Sequence, residues 1–246
     1  IVFGDWSSDV CSSDLYTEQD LTILNQNFAD IAIPNGDEPK YDFILADLGV
    51  SSMQIDNPSR GFTFKQEGPL DLRMNPYEGI PAMYRLQAMS ELEIEEMLSN
   101  NADEPYASRI AREIVSTIRS GKKLATTLEL KNVIAKALPS LPPQEKTEAL
   151  QKSCQRVFQA LRIEVNHELE SLTTLLDKLP ELLADGGRVA ILSFHSGEDR
   201  LVKKAFQYYQ RQGIFREIVS EFQRPSFQEQ TANPRAKSAK LRWAVK

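Results

Sequence analysis

Asp47 and His195 each stand directly after or within one residue of an apolar run, where a side chain able to accept or move a proton would sit at the end of a buried strand. Asp47 closes Tyr41-Asp-Phe-Ile-Leu-Ala and is followed by Leu48-Gly49-Val50-Ser51-Ser52, and His195 follows Arg188-Val-Ala-Ile-Leu-Ser193-Phe194. Ligands of open α/β sheets bind off the carboxyl ends of the strands, so both residues are placed for a site. The small residues after Asp47 would let backbone and ligand approach closely. Each residue also has a plainer reading. A strand-end Asp serves equally as a helix cap or turn former, and a histidine can make a structural hydrogen bond.

Arg60, Arg73, Arg235 and Lys237 are candidates for phosphate or base contacts, because the guanidinium fork suits phosphate and guanine edges; internal ion pairs would use them equally well. Cys154 falls in a helical stretch and reads as a buried residue. His167, beside Glu168 in the same stretch, reads as a surface or packing residue. Two distant histidines and two unrelated cysteines, Cys11 and Cys154, offer no ligand spacing, so no metal site is expected.

The elements that must position these groups follow from pattern. Leu21–Leu24, Tyr41–Asp47, Arg188–Phe194, Phe215–Phe222 and Lys240–Val245 read as strands, the continuous apolar runs being of the buried parallel type. Residues 53–79, rich in Gly, Pro, Asn and Asp, read as loop. Ser90 with Glu93 has capping-box spacing, and Ile110, Ile114 and Ile118 share one helix face. Thr126 or Thr127 caps a helix over 128–138, and Phe158, Leu161, Val165, Leu169 and Leu172 mark one long amphipathic stretch. Two strand-bearing ends with helices between them predict an α/β sheet interrupted by an inserted all-helical domain.

With 246 residues, 41% of them hydrophobic, the chain can bury one good core or one core with a helical satellite. No apolar run is long enough to span a membrane and no secretory signal is seen, which with two unpaired cysteines points to a reducing cytoplasmic setting. The net charge of −6 argues weakly against a nucleic-acid partner. Its distribution argues the other way: residues 200–246 hold eleven Lys or Arg against three Glu, whereas the first fifty hold ten acids and only Lys40. A solvated C-terminal helix and tail would give the same asymmetry.

The segment Asp5-Trp-Ser-Ser-Asp-Val-Cys-Ser-Ser-Asp-Leu15 repeats Ser-Ser-Asp without helical or strand period. It looks like the conceptual translation of a sequencing adapter, so residues 1–15 are set aside as an artefactual segment; the other reading is a genuine Ser/Asp-rich loop.

Six segments in order carry a resemblance: Asp47-Leu-Gly-Val-Ser-Ser-Met-Gln54, Arg60-Gly-Phe-Thr-Phe64, Gly68-Pro-Leu-Asp-Leu-Arg73-Met74, Arg156-Val-Phe-Gln-Ala-Leu-Arg-Ile-Glu-Val-Asn166, Ser193-Phe-His-Ser-Gly-Glu-Asp-Arg200 and Asn233-Pro-Arg-Ala-Lys-Ser238. Over nearly the whole length from Leu21, the chain resembles the bacterial family that methylates the N4 amine of a cytosine in 16S ribosomal RNA. The resemblance implies a Rossmann-like class I methyltransferase sheet spanning 16–55 and 160–246, with 56–159 as an inserted helical substrate-recognition domain. It implies S-adenosyl-L-methionine as cofactor, held by Phe28, Asp47 and Gln54. It further implies catalytic roles for Asp47 and His195, and substrate contacts from Arg60, Arg73, Ser193, His195, Asn233 and Arg235. The implied partner is 16S rRNA in the small ribosomal subunit, with a homodimer left open as the assembly.

The family pattern also includes a Gly-Gly-His loop after its first strand and an acidic residue ending its second. Neither is found, since only Gly4 and Gly36 precede Gly49, and a chain lacking the first strand and cofactor loop is therefore expected. Two alternatives follow: an inactive fragment that keeps an RNA-docking surface, and a same-fold methyltransferase of DNA cytosine or small amines.

Overall fold

A computed structural model of the chain describes residues 2–3, 22, 24–36 and 38–246. In chain order the elements are β1 (Val2–Phe3), β2 (Tyr41–Asp47), α1 (Ser52–Asp56), α2 (Ala82–Ala88), α3 (Glu91–Ala102), α4 (Ala107–Arg119), α5 (Thr127–Ala137), α6 (Pro143–Asn166), α7 (Glu168–Leu182), β3 (Leu183–Ser193), α8 (Ser196–Arg211), β4 (Glu217–Ile218), α9 (Phe227–Ala232) and β5 (Lys240–Val245). Short 3-10 turns occur at Phe28–Asp30, Pro58–Arg60 and Pro234–Ser238. Two compact units result: residues 1–50 with 169–246, and residues 51–168. Their boundaries lie at Val50/Ser51 and Glu168/Leu169 rather than at 55/56 and 159/160, because α6 runs unbroken to Asn166 and stays with the helices it packs on.

The first unit is a five-stranded sheet in the order β1-β2-β3-β5-β4, mixed α/β in class. β1, β2 and β3 are parallel; β5 is antiparallel to both β3 and β4. Alternate residues Ile44 and Ala46 of β2, Val189 and Ile191 of β3, and Ala244 of β5 enter one core with Leu172, Leu175, Leu176, Leu179 and Leu182 of α7. Val202, Phe206 and Tyr209 of α8 close it. Burying each large aliphatic or aromatic side chain contributes about 1.5–3 kcal/mol.

Several sequence expectations are corrected here. Val2 and Phe3 belong to the stretch set aside, yet their backbone pairs with Leu45 and Ala46; parallel pairing needs only an open backbone edge, and β2 offers one. The adapter-like Asp5–Leu15 lies outside the described residues, as do Leu21 and Ile23 of the first expected strand; Thr22 and Leu24 are in no strand. The strand expected over Phe215–Phe222 shrinks to Glu217–Ile218, because Phe215 turns into the core and packs edge-on against Phe206 (5.6 Å) and Tyr209 (5.4 Å). The helix α9 over Phe227–Ala232 carries a Ser226/Glu229 capping box that the sequence reading passed over.

The second unit is helical. The expected Ser90–Glu93 capping box forms, and of the two expected caps of α5 it is Thr126 that serves, in a further capping box with Glu129. Along α4 the buried stripe is Ile110, Ala111, Ile114 and Val115, with Ile118 half-buried at its edge. The segment read as loop after Met53 contains α1, nucleated by Ser51, whose hydroxyl accepts from Gln54 N at 3.3 Å. The long amphipathic stretch is two helices, not one. His167 ends α6 in the left-handed conformation (φ 51), so it is a helix terminus rather than a mid-helix residue. A side chain there is strained and His167 is exposed. Replacing His167 by Gly is expected to raise stability by about 1 kcal/mol, the relief of left-handed strain less the chain entropy that glycine adds; urea unfolding measures it, and an unchanged or lower midpoint would refute the strain account.

Cys154 is fully buried on α6 and its thiol pKa is pushed up to about 12, first by burial. Such a thiol has no nucleophilic role.

Candidate active site

Asp47 ends β2 in register with Leu192 of β3, and Leu48 N donates to Leu192 O at 3.0 Å, which fixes the strand end. The Asp47 side chain reaches solvent and is not a helix cap, since Ser51 has that role in α1. Its pKa is raised from the ordinary Asp value, first because the surrounding protein withholds water from the carboxylate and second by the charge of Glu198. Gly49 then turns the chain at φ +95, a conformation glycine adopts freely.

His195 is the N-cap of α8. Its Nδ1 accepts from Glu198 N at 3.4 Å, while Glu198 Oε2 accepts from Phe194 N at 2.8 Å and His195 N at 3.3 Å. This is a capping box with histidine in the place usually held by Ser or Thr. Gly197 makes room for it: a Cβ there would stand 3.1 Å from His195 Nδ1. Nδ1, serving as an acceptor, leaves the proton of the neutral ring on Nε2. Nε2 is buried and lies 3.1 Å from Glu198 Oε1, but it is not aligned to make a hydrogen bond, so the contact is electrostatic only.

Glu198 is the residue that sequence reasoning missed. It is 3% exposed, caps the helix beneath His195 and supplies the charge felt by Asp47. The signal was present as a Glu three residues after His195; it went unread because histidine is an unusual first member of the box.

Two carboxylates and an imidazole thus meet the carboxyl edge of the parallel strands β2 and β3. The sequence matches the MraW methylase family over residues 7–246. The chain belongs to that family. It is 54% identical over 226 residues to ribosomal RNA small subunit methyltransferase H 1 of Lachnoclostridium phytofermentans, covering 92% of this chain and 62% of that protein. It is 55% identical over 231 residues to ribosomal RNA small subunit methyltransferase H 2 of Alkaliphilus metalliredigens, covering 94% and 66%. The similarity to ribosomal RNA small subunit methyltransferase H of Mesomycoplasma hyopneumoniae is 40% over 240 residues, covering 93% and 77%. The chain spans 62% and 66% of the first two of these relatives.

The remaining candidates of this MraW-family chain fall in three groups. Phe28, half-buried at the start of a 3-10 turn, packs against the core of the sheet unit. Ser193 is buried at the end of β3, its hydroxyl donating to Lys240 O at 3.4 Å. Asn233 and Arg235 are exposed, and Asn233 Oδ1 accepts from Arg235 N at 3.1 Å.

In the helical unit the family segments knot a loop. Arg60 Nη2 donates to Arg73 O at 2.9 Å and Met74 O at 2.6 Å. Arg73 forms a double hydrogen bond with Asp71, 2.7 and 2.8 Å. Burial alone would raise the Asp71 pKa, but the hydrogen bonds and charge of Arg73, with the charge of Arg60, hold it below the ordinary value. Asn166 donates to Leu72 O and accepts from Met74 N, clamping Leu72 at φ 62. Arg60 and Arg73 therefore spend donors on internal partners.

Gln54 differs. Its Oε1 is buried and accepts no hydrogen bond from the described residues, an acceptor that is costly to leave unpaired by about 1–3 kcal/mol.

Proposed function

We propose that this chain transfers a methyl group from S-adenosyl-L-methionine to the exocyclic N4 amine of a cytosine in 16S ribosomal RNA. The observation that carries the reading is the strand-end carboxylate of Asp47, with its raised pKa beside Glu198, in a member of a methylase family. The names of the relatives support rRNA as the substrate class.

The residues of the sheet unit fit the cofactor: the carboxylate of Asp47 suits a cationic group and the half-buried ring of Phe28 suits an adenine face. Within the helical unit, the unpaired Oε1 of Gln54 is suited to accept from an amine. When bound, the cofactor supplies the methyl carbon activated by its sulfonium.

The exocyclic amine of cytosine is a poor nucleophile because its lone pair is delocalised into the ring. Asp47 accepts a hydrogen bond from that amine, localises electron density on the nitrogen, and takes up its proton at a carboxylate oxygen. The raised pKa suits a group that must be ionised before the step and protonated after it. His195, with Nδ1 committed to the helix cap and Nε2 buried against Glu198, acts by holding the start of α8 and Glu198 in place beside Asp47. The target base leaves its stack to reach Asp47, at a cost of a few kcal/mol.

The test is incubation of the purified chain with methyl-labelled cofactor and small subunits lacking the modification, followed by mass spectrometry of the nucleosides. N4-methylcytidine in the 16S rRNA is the expected product. A calorimetric titration that detects no cofactor binding at millimolar ligand would overturn the reading in favour of a docking fragment; methylation of naked DNA instead of subunits would favour the same-fold alternative.

A further inference from the structure

The C-terminal charge asymmetry has a structural focus outside the residues discussed so far. Around the half-buried ring of Phe222 stand three cations: Arg224 Cζ at 5.0 Å from the ring centroid, Lys240 Nζ at 5.1 Å and Arg242 Cζ at 5.5 Å. Each gains from the π face, but together they repel, since charges gathered this closely lie within about a Debye length of one another.

Compensation is incomplete. Arg242 is buried, at 3% exposure, and is held by Asp199 at 2.7 Å; Lys240 reaches the same carboxylate at 3.7 Å. Asp199 is the only acid in ion-pair reach of the three among the described residues, and Arg224 has none. One carboxylate against three cations leaves two positive charges in excess. The excess sits at the rim, because Arg242 is consumed inside while Arg224 is exposed.

The position is informative. Lys240 opens β5 opposite Ser193, the last residue of β3, two residues before His195. Asp199 lies on the first turn of α8, next to Glu198. The cluster therefore borders the same carboxyl edge of the sheet that carries Asp47 and His195.

We propose that Phe222, Arg224 and Lys240 form a docking point for a phosphodiester of the RNA strand, beside the target nucleotide. A base drawn out of its stack brings its flanking phosphates to the rim of the site. A guanidinium fork and an ammonium beside an aromatic ring are the combination that holds single-stranded nucleic acid, the cations on the backbone and the ring on a base or sugar face. This rests on the RNA-methylating reading for its choice of polyanion, although not on catalysis.

The test measures binding by fluorescence anisotropy of a fluorescein-labelled single-stranded RNA containing cytosine, across a range of salt, for the full chain and for the Arg224→Gln/Lys240→Gln pair. Losing two phosphate-binding cations lowers the slope of log affinity against log salt by about 1.4, which corresponds to about 25-fold weaker binding at 0.1 M salt. The single Arg224→Gln variant changes an exposed side chain, so a loss of about half that slope is free of any folding defect. An unchanged slope, even with weaker binding, would overturn the proposal, because the loss would then not come from phosphate contacts. If the unaltered chain binds no RNA, both this proposal and the RNA-methylating reading fall. RNA binding with the expected slope change but no methyl transfer would uphold the docking point and sink the reaction.

Discussion

Replacing Asp47 by Asn is expected to lower methyl transfer by roughly 100- to 1,000-fold, the usual loss when a positioned acid–base or charge-stabilising group is removed. Asparagine keeps the shape and one acceptor oxygen but can neither carry the charge nor accept the proton of the amine. The same variant is expected to be at least as stable as the unaltered chain at neutral pH. The sign follows from linkage: the folded-state pKa of Asp47 is raised, so the folded protein holds this proton more tightly than the unfolded chain. Stability from that group is complete below its unfolded pKa and is lost as pH rises through the folded one. At neutral pH the ionised carboxylate is a destabilising charge, and Asn removes it. Single-turnover rates together with urea unfolding at neutral pH test both halves. A variant that retains full activity would remove Asp47 from the chemistry, and one that loses stability would show that the carboxylate serves the fold.

Glu198 gives the second large effect, and two variants separate its roles. Glu198→Ala removes the acceptor for Phe194 N and His195 N and leaves two donors unpaired at a buried helix start. A loss of about 2–3 kcal/mol is expected, on the scale of stranded buried hydrogen-bond groups. Glu198→Gln retains an acceptor for those donors but removes the negative charge that helps to raise the pKa of Asp47. With Asp47 as the proposed proton acceptor, the acid limb of the pH–rate profile is expected to move to lower pH in the Gln variant, with a smaller loss of stability than in the Ala variant. An acid limb that does not move would mean that the charge of Glu198 is not felt at the reacting carboxylate.

What was legible in the sequence shares a physical character. β2 and β5 are found at the bounds expected, because a run that is apolar on the buried face and bounded by polar residues has few other ways to hide that surface. The expected capping box at Ser90 and the expected cap at Thr126 formed because such interactions span only four residues. The break at His167 was hidden for the opposite reason. The apolar period continues from α6 into α7, and the left-handed turn between them is made by a histidine rather than by the glycine that usually marks a helix end. Phe215 and β4 failed similarly: an aromatic residue suits both a strand and a core, and only the packing of Phe206 and Tyr209 decides.

The same division runs through the candidate site. By itself the sequence determined the family, because six separated segments in order are matched by no accident of composition, and it determined that Asp47 and His195 follow buried strands. Only the tertiary structure decided what surrounds them. The charge on Glu198 reaches Asp47 because parallel pairing brings the ends of β2 and β3 side by side. The donors of Arg60 and Arg73 turn inward because the loop between them folds back on itself. Three cations gather on Phe222 because the antiparallel bridge between Gln223 and Leu241 sets their flanking residues side by side. Strand ends and caps are local and are written in adjacent residues. Electrostatic neighbourhoods join residues far apart in the chain, and folding is what brings them within range.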